Sequence, residues 1–227
     1  MSYHPLAQFI DEILVIFESL GFEIAEGPEI EDEWHNFDGL RVPADHPSRD
    51  VQDTFWLDSK HPLRTHTTSV DLRLMEGEKP PARFIIPGRC FRHEATDQHH
   101  EAQFYQIDGF AIDKDISFAD LMGTLEFLIK RLYGKQVELR FVPHHYPFVE
   151  PGLDLHIRQK GQEEWLEVLG AGILHPEVLK NMRVDPTKWQ GFAFGMGVDR
   201  LMMLYYGIDD IRLSYVNDFR FLKQFKP

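Results

Sequence analysis

The sequence predicts an α+β protein, an antiparallel sheet of about six strands flanked by helices. Strand-like segments outnumber helical ones, and several follow one another with no helix between them. They also alternate apolar and polar residues, as in Val137-Glu138-Leu139-Arg140-Phe141, the pattern of a sheet with one covered face. Residues 1–227 read as one domain, with no repeat, low-complexity tract or linker to divide them.

Apolar residues at Leu6, Phe9, Ile10, Ile13, Leu14, Ile16, Phe17 and Leu20 make a broad helical stripe over residues 4–20, with Pro5 near its start and Gly21 after its end. Strands follow at 83–86 and 104–112. A second helix opens at Ser117, where Asp120 three residues on makes a capping-box pattern, and runs through Leu121, Leu125, Leu128, Ile129 and Leu132 to Gly134. Further strands lie at 137–142, 153–159, 165–169 and 189–194, and a short helix follows Asp199 and stops at Gly207. Two stretches, 35–53 and 93–102, are polar, irregular and rich in histidine, which marks them as candidate binding loops.

With 24 Lys and Arg against 37 Asp and Glu the net charge is −13, whereas a protein that grips nucleic acid unaided carries a basic balance. Any work on nucleic acid therefore calls for help from elsewhere. A hydrophobic content of 43% suffices for a packed core and argues against disorder. Cys90 is the sole cysteine, which excludes an internal disulfide framework. The longest aliphatic or aromatic run, Ile13 to Phe17, is far short of the ~20 residues that span a bilayer, and no secretory signal pattern opens the sequence. The expectation is a soluble, cytoplasmic protein with no membrane partner.

Three constellations could carry chemistry. Neither phosphate-loop nor dinucleotide glycine fingerprint occurs, but Gly191-Phe-Ala-Phe-Gly195-Met-Gly197-Val-Asp-Arg200 ends a strand and opens a helix with Arg200 on its first turn. It reads either as a floor where backbone approaches a ligand beside a guanidinium, or as a strand-helix turn with a surface arginine. The second is Arg89-Cys-Phe-Arg92-His-Glu94, a loop through His99, His100 and Glu101, and Phe104-Tyr-Gln106-Ile-Asp108. In a hairpin, Arg92 and Glu94 share a face, as do Phe104, Gln106 and Asp108 on the neighbouring strand. That set suits a nucleotide, with Arg for phosphate, an aromatic plate for the base and a carboxylate for an exocyclic amine; cross-strand salt bridges on a polar face are the alternative. Zinc is disfavoured, since no H-E-x-x-H or C-x-x-C spacing is present. The third is Tyr146-Pro-Phe148-Val-Glu150-Pro, whose aromatics either wall a hydrophobic pocket or are core.

In this order the constellations resemble the signature motifs of class II aminoacyl-tRNA synthetases. Gly27-Pro28-Glu29 is similar to motif 1 (near 22–30), Phe91-Arg92-His93-Glu94 to the F-R-x-E of motif 2 (near 88–110), and Gly195-Met-Gly197-Val-Asp-Arg200 to motif 3 (near 191–204). Within that class the chain resembles the bacterial phenylalanyl-tRNA synthetase alpha chains, from about His4 to the C-terminus. The resemblance rests on Asn36-Phe37-Asp38, His46-Pro47, Asp53-Thr54-Phe55-Trp56, Arg64-Thr65-His66-Thr67, the Tyr146 to Pro151 stretch, Gly191 to Gly195 and Phe221-Leu-Lys-Gln-Phe225.

The resemblance implies a class II catalytic domain that forms phenylalanyl-adenylate from phenylalanine and ATP and passes the aminoacyl group to tRNA. It implies catalytic roles for Arg92, Arg200 and His100, with ATP held by Arg92, Glu94, His100, Phe104 and Arg200. Arg92 would contact the α-phosphate, Arg200 would pack over the adenine with Phe104 as the opposite plate, and Glu94 would read the adenine amino group. Phenylalanine would be held by His66, Thr68, Gln106 and Asp108, with Trp56 nearby, and its ring by Tyr146, Phe148, Val149 and Ala193. Magnesium is implied with ATP, and Glu150 as a metal ligand shared with a beta chain; a structural salt bridge is the other reading of Glu150. The implied assembly is a heterotetramer of two alpha and two beta chains with a homodimer contact through motif 1.

The chain departs from the family at Tyr146, where Phe is common, at Asp108, where Glu is common, and at Thr68, which replaces Ser. A hydrophobic pocket rejects an added hydroxyl by only ~10²-fold, so tyrosine is a hazard, and the family's editing lies on the beta chain. The family's basic coiled-coil arm has no counterpart before His4, so the chain is either trimmed or naturally short, and weak tRNA binding in isolation is expected. Two other functions fit the residues less fully: adenylation of an aromatic amino acid for another acceptor, and a non-catalytic amino-acid-sensing subunit, which would not need the ATP set.

Overall fold

The computed structural model describes residues 4–93, 96–98 and 101–225. Its helices are α1 (Pro5–Glu18), α2 (Glu33–Asn36), α3 (Ser69–Gly77), α4 (Phe118–Tyr133), α5 (Pro176–Asn181), α6 (Val198–Tyr206) and α7 (Phe219–Leu222). The strands are β1 (Glu23–Ile24), β2 (Ala82–Phe91), β3 (Gln103–Asp113), β4 (Val137–Tyr146), β5 (Val149–Gln159), β6 (Leu166–Leu174) and β7 (Gln190–Gly197). They form one sheet in the order β1-β2-β3-β7-β6-β5-β4, antiparallel except where β1 pairs with β2. The α+β expectation holds.

The alternation of each strand sends two sets of side chains to opposite faces. One face, with Ile85, Ile107, Leu155, Phe192, Phe194 and Met196, is covered by α1, α4 and α6. From α1 this core takes Phe9, Ile13 and Phe17, all with no exposed surface, and each such side chain stabilises by roughly 1.5–3 kcal/mol. The Ser117–Asp120 capping box forms as the pattern predicts, and Gly207 adopts φ 66° to end α6. The other face is covered only in part: Val70, Leu72 and Met75 of α3 and Val178 and Leu179 of α5 pack over Ile86, Phe110, Ile112 and Ala193.

Several elements exceed the sequence reading for identifiable reasons. Seven strands form rather than six, because β1 is only two residues long and borrows its pairing from β2. Strand β6 continues through Gly170 and Gly172, and β5 begins before Pro151 and Gly152, residues that read as strand breakers when their surroundings are unknown. Pro143 sits in β4, the edge strand of the sheet among the described residues. Helices α3 and α5 were not expected.

The stretch 35–53 does not line the cavity on the partly covered face: its first part is a packed support, with Asn36 and Phe37 buried, Asn36 Nδ2 donating to Thr65 Oγ1 at 3.1 Å, and Arg49 paired with Glu33 and Asp38, while residues 43–47 and 50–53 are exposed. These bonds hold the turn that delivers Thr65 and His66 to the sheet.

Candidate active site

The partly covered face carries a cavity of about 520 Å³, within the range of small-molecule sites. Its floor follows from register. Asp108 of β3 faces Gly195 of β7, Gly195 faces Gly170 of β6, and Gly170 faces Asp154 of β5. Two glycines thus lie between two carboxylates in one row. A Cβ at residue 195 would lie 2.6 Å from Asp108 Oδ1, and one at residue 170 would lie 2.5 Å from the Tyr146 hydroxyl. The missing side chains are what let the Asp108 carboxylate and the Tyr146 phenol lie close against the sheet.

The strand parity expected for Phe104, Gln106 and Asp108 is present, and all three line the cavity. Asp108 is buried; Gln106 Nε2 donates to its Oδ1 at 2.6 Å, and the Thr68 hydroxyl donates to Oδ2. Burial raises the Asp108 carboxyl, and the bonds from Thr68 and Gln106 oppose that rise. His66, also in the lining, is pushed down to about 3 by burial and then by the charges of Arg92 and Arg64, so its imidazole is neutral. Its Nδ1 has no hydrogen-bond partner among the described residues.

Arg92 lies just beyond β2, its backbone N–H donating to Ala102 O at 3.0 Å and its Nε to Thr65 O at 3.2 Å. Its guanidinium sits 4.9 Å from the centre of the Phe104 ring. Arg200 lines the same cavity from the first turn of α6. A ring wall is built by Tyr146 and Phe148, stacked at 5.6 Å and 24°, with buried Ala193 on the floor. Burial and then the bond to Asp154 raise the Tyr146 phenol, so it stays a donor.

Two residues expected around the amino acid, Trp56 and Val149, do not line this cavity. Trp56 donates its Nε1 to Arg49 O at 3.1 Å and packs against Phe37 at 6.0 Å, in the second core. Val149 is buried behind the floor, where a Cβ at Gly172 would meet it at 2.6 Å. Glu150 is exposed, its Oε2 3.6 Å from His175 Nε2. Glu94 and His100 lie outside the described residues.

In and beside the cavity lie further groups to which the sequence reading gave no role. Asp199 accepts the Tyr105 N–H and the Tyr215 hydroxyl, each at 2.7 Å, which ties α6 to β3. Glu101 and Glu167 also line it, so the described lining sets two arginines among the carboxylates of Glu101, Asp108, Glu167 and Asp199. Asp71, on the first turn of α3, is buried with both oxygens lacking hydrogen-bond partners among the described residues. Burial and then the charge of Asp108 raise its carboxyl well above the ordinary range. Asp199 had a sequence signal through its place next to Arg200 and Glu101 through the loop of the second constellation, whereas Glu167 is brought in by strand pairing and Asp71 by the packing of α3.

A glycine floor at the end of a strand-to-helix motif, paired arginines and a half-covered antiparallel sheet define the class. Residues 1–225 match the family described as tRNA synthetases class II core domain (F), and the chain belongs to that family. It is 49% identical over 232 residues to the phenylalanine-tRNA ligase alpha subunit of Clostridium perfringens (strain SM101 / Type A), covering 98% of this chain and 68% of that one. The alpha subunits of Caldicellulosiruptor bescii and Proteus mirabilis (strain HI4320) are each 49% identical, over 99% and 98% of this chain and 69% and 68% of theirs. Among solved structures, pyrrolysyl-tRNA synthetase from Desulfitobacterium hafniense superposes with a TM-score of 0.73 at 17% identity, over 94% of this chain and 74% of that one. At that identity the likeness concerns the fold alone.

Proposed function

We propose that this chain is the alpha-type catalytic chain of a phenylalanine-tRNA ligase, activating phenylalanine with ATP and transferring it to tRNA. One observation carries the reading: a single cavity holds Arg92, Phe104 and Arg200 together with Asp108, Thr68, Gln106 and an aromatic wall.

In this reading the amino acid's ammonium meets Asp108, whose two oxygens are oriented by Thr68 and Gln106. Neutral His66 adds no competing cation there. The ring lies between Tyr146, Phe148 and Ala193, with Val149 as backing. The substrate carboxylate oxygen forms a bond to the α-phosphorus of ATP while the bond from that phosphorus to the bridging oxygen breaks, releasing pyrophosphate. The nucleophile is already an anion, so the protein's task is positioning and charge stabilisation, and no general base is required. Arg92 steadies the charge gathering at phosphorus; Arg200, with Glu94 and His100, holds the nucleotide.

The carboxylates around the cavity would repel a bare polyphosphate, and hard oxygen donors of this kind fit magnesium. Glu167, Asp154 and His156 bring ligand atoms within 4.8 Å of one another; Asp154 is committed to Tyr146 and His144, which leaves Glu167 as the candidate ligand facing the nucleotide. When bound, the ion supplies neutralisation of phosphate charge. Glu150, outside the cavity, would serve a separate ion at a partner surface.

The assembly proposed is cytoplasmic, two alpha with two beta chains. Exposed Ile24, Ile30 and Trp34 around motif 1 suit the alpha-alpha contact, and tRNA binding by this chain alone is weak. No helix among the described residues is long and apolar enough to cross a membrane.

The test is phenylalanine-dependent exchange of pyrophosphate into ATP, with and without a beta chain. Exchange with phenylalanine supports the reading, and absence of exchange in both settings overturns it. Aminoacylation of tRNA in the complete assembly then separates a ligase from an enzyme that adenylates for another acceptor.

A further inference from the structure

Asp154 is 4% exposed and does not line the cavity, yet both its oxygens are committed to the cavity wall. The Tyr146 hydroxyl donates to Oδ1 at 2.7 Å, and His144 Nδ1 lies 2.8 Å from Oδ2. The three aromatic side chains form a stack, His144 on Tyr146 at 4.6 Å and 30°, and Tyr146 on Phe148 at 5.6 Å and 24°. His144 and Tyr146 of the stack lie on the edge strand β4, where pairing with β5 shifts register between them, and Phe148 lies in the turn that follows. Backbone pairing is therefore weakest where the wall is attached, and the phenol lies directly on Gly170, where a Cβ would stand 2.5 Å from its hydroxyl.

We propose that Asp154 sets the width of the ring pocket, as a positioning residue acting through Tyr146; this rests on the amino-acid reading of the cavity above. The physical reason is the cost of letting go. Turning Tyr146 away leaves a buried carboxylate oxygen without a donor, a penalty larger than the net worth of an ordinary hydrogen bond. The bond thus adds to the packing of Tyr146 and Phe148 against the second core and fixes the face that the ligand ring meets. His144 fixes the second oxygen and keeps Asp154 from rotating.

The experiment compares variants of the chain, assembled with its beta chain where assembly requires it, in pyrophosphate exchange with phenylalanine and with the wider 2-naphthylalanine. Asp154→Ala raises KM for phenylalanine about tenfold with kcat within about twofold, the size of one lost charge-assisted bond expressed in binding. It also raises the activity on naphthylalanine relative to phenylalanine. Asp154→Asn keeps an acceptor for the hydroxyl and retains wild-type KM. Tyr146→Phe removes the same bond from its other end, so it reproduces the rise, and the double variant Tyr146→Phe with Asp154→Ala shows no more than either change alone.

Tyr146→Phe carries the test by itself if Asp154→Ala does not fold. Wild-type KM and ring selectivity in Tyr146→Phe overturn the inference, as do multiplicative effects in the double variant or an Asp154→Asn as impaired as Asp154→Ala. A wild-type protein without exchange on any aromatic amino acid overturns the functional reading and this inference with it.

Discussion

Asp108 and Gly195 face each other across β3 and β7, so closely that a Cβ at residue 195 would stand 2.6 Å from Asp108 Oδ1 and 3.0 Å from Gln106 Nε2. Gly195→Ala should therefore disturb the carboxylate before it disturbs the fold. The expected result is a rise in KM for phenylalanine on the order of tenfold or more, with a stability cost of about 1–3 kcal/mol from overpacking. Exchange kinetics at saturating ATP check it, and an unchanged KM would show that Asp108 does not hold the substrate.

Ala193 lies on the same floor, facing Phe110 on one side and Gly172 on the other, and is buried. Ala193→Gly removes the methyl group that limits pocket depth, and is expected to admit para-chlorophenylalanine. Unchanged discrimination between that analogue and phenylalanine in pyrophosphate exchange would count against the assignment of Ala193 to the ring pocket.

Away from the cavity, Glu31 has no exposed surface and its carboxylate takes three bonds from Arg73, at 2.6 to 3.0 Å. Arg73→Ala strands that buried charge and should destabilise the protein by roughly 3–5 kcal/mol. Urea denaturation measures this directly; a loss under about 1 kcal/mol would mean that solvent reaches Glu31 once Arg73 is gone.

His66 and Asp71 push the pH dependence of stability in opposite directions. The folded state holds His66 neutral to about pH 3 against an ordinary value of 6.5, so the unfolded chain binds the extra proton and stability falls as pH drops through that window. His66→Gln should flatten that acid limb in urea titrations. Asp71 is the reverse: its raised carboxyl keeps a proton that the unfolded chain releases above 3.8, so it costs stability as pH rises. Asp71→Asn is expected to be more stable than wild type at neutral pH, with the gain closing as pH falls towards 3.8. A constant difference across that range would mean that Asp71 ionises freely in the folded state.

Much of the fold was legible because it rests on local periodicity. The α1 stripe, the Ser117 capping box, Gly207 as a helix stop and the alternation in β3 and β4 all depend on neighbours a few residues away. Gly170 and Gly172 misled for the same reason: judged locally they break a strand, whereas in the sheet they are interior positions against which Tyr146 and Val149 pack. In the stretch 35–53 polarity has two meanings that the sequence does not separate: Asn36 is satisfied inside the protein by Thr65, whereas residues 43–47 and 50–53 are exposed.

The sequence by itself determined the class: glycines and an arginine at a strand-to-helix junction, Phe91-Arg92 in a hairpin and the Tyr146 to Pro151 stretch are short-range patterns, readable because chemistry at one motif needs residues at set spacings. Only the tertiary structure decided which residues meet. Asp71 comes close to Asp108, Asp154 grips Tyr146 and Glu167 enters the cavity because helix packing, a hydrogen bond and strand pairing join segments distant in the chain or on adjacent strands, while Trp56 and Val149, adjacent in sequence to site motifs, turn into a core. Register across an antiparallel sheet is set by burial of one whole face, a property of all seven strands at once, and no single motif contains it.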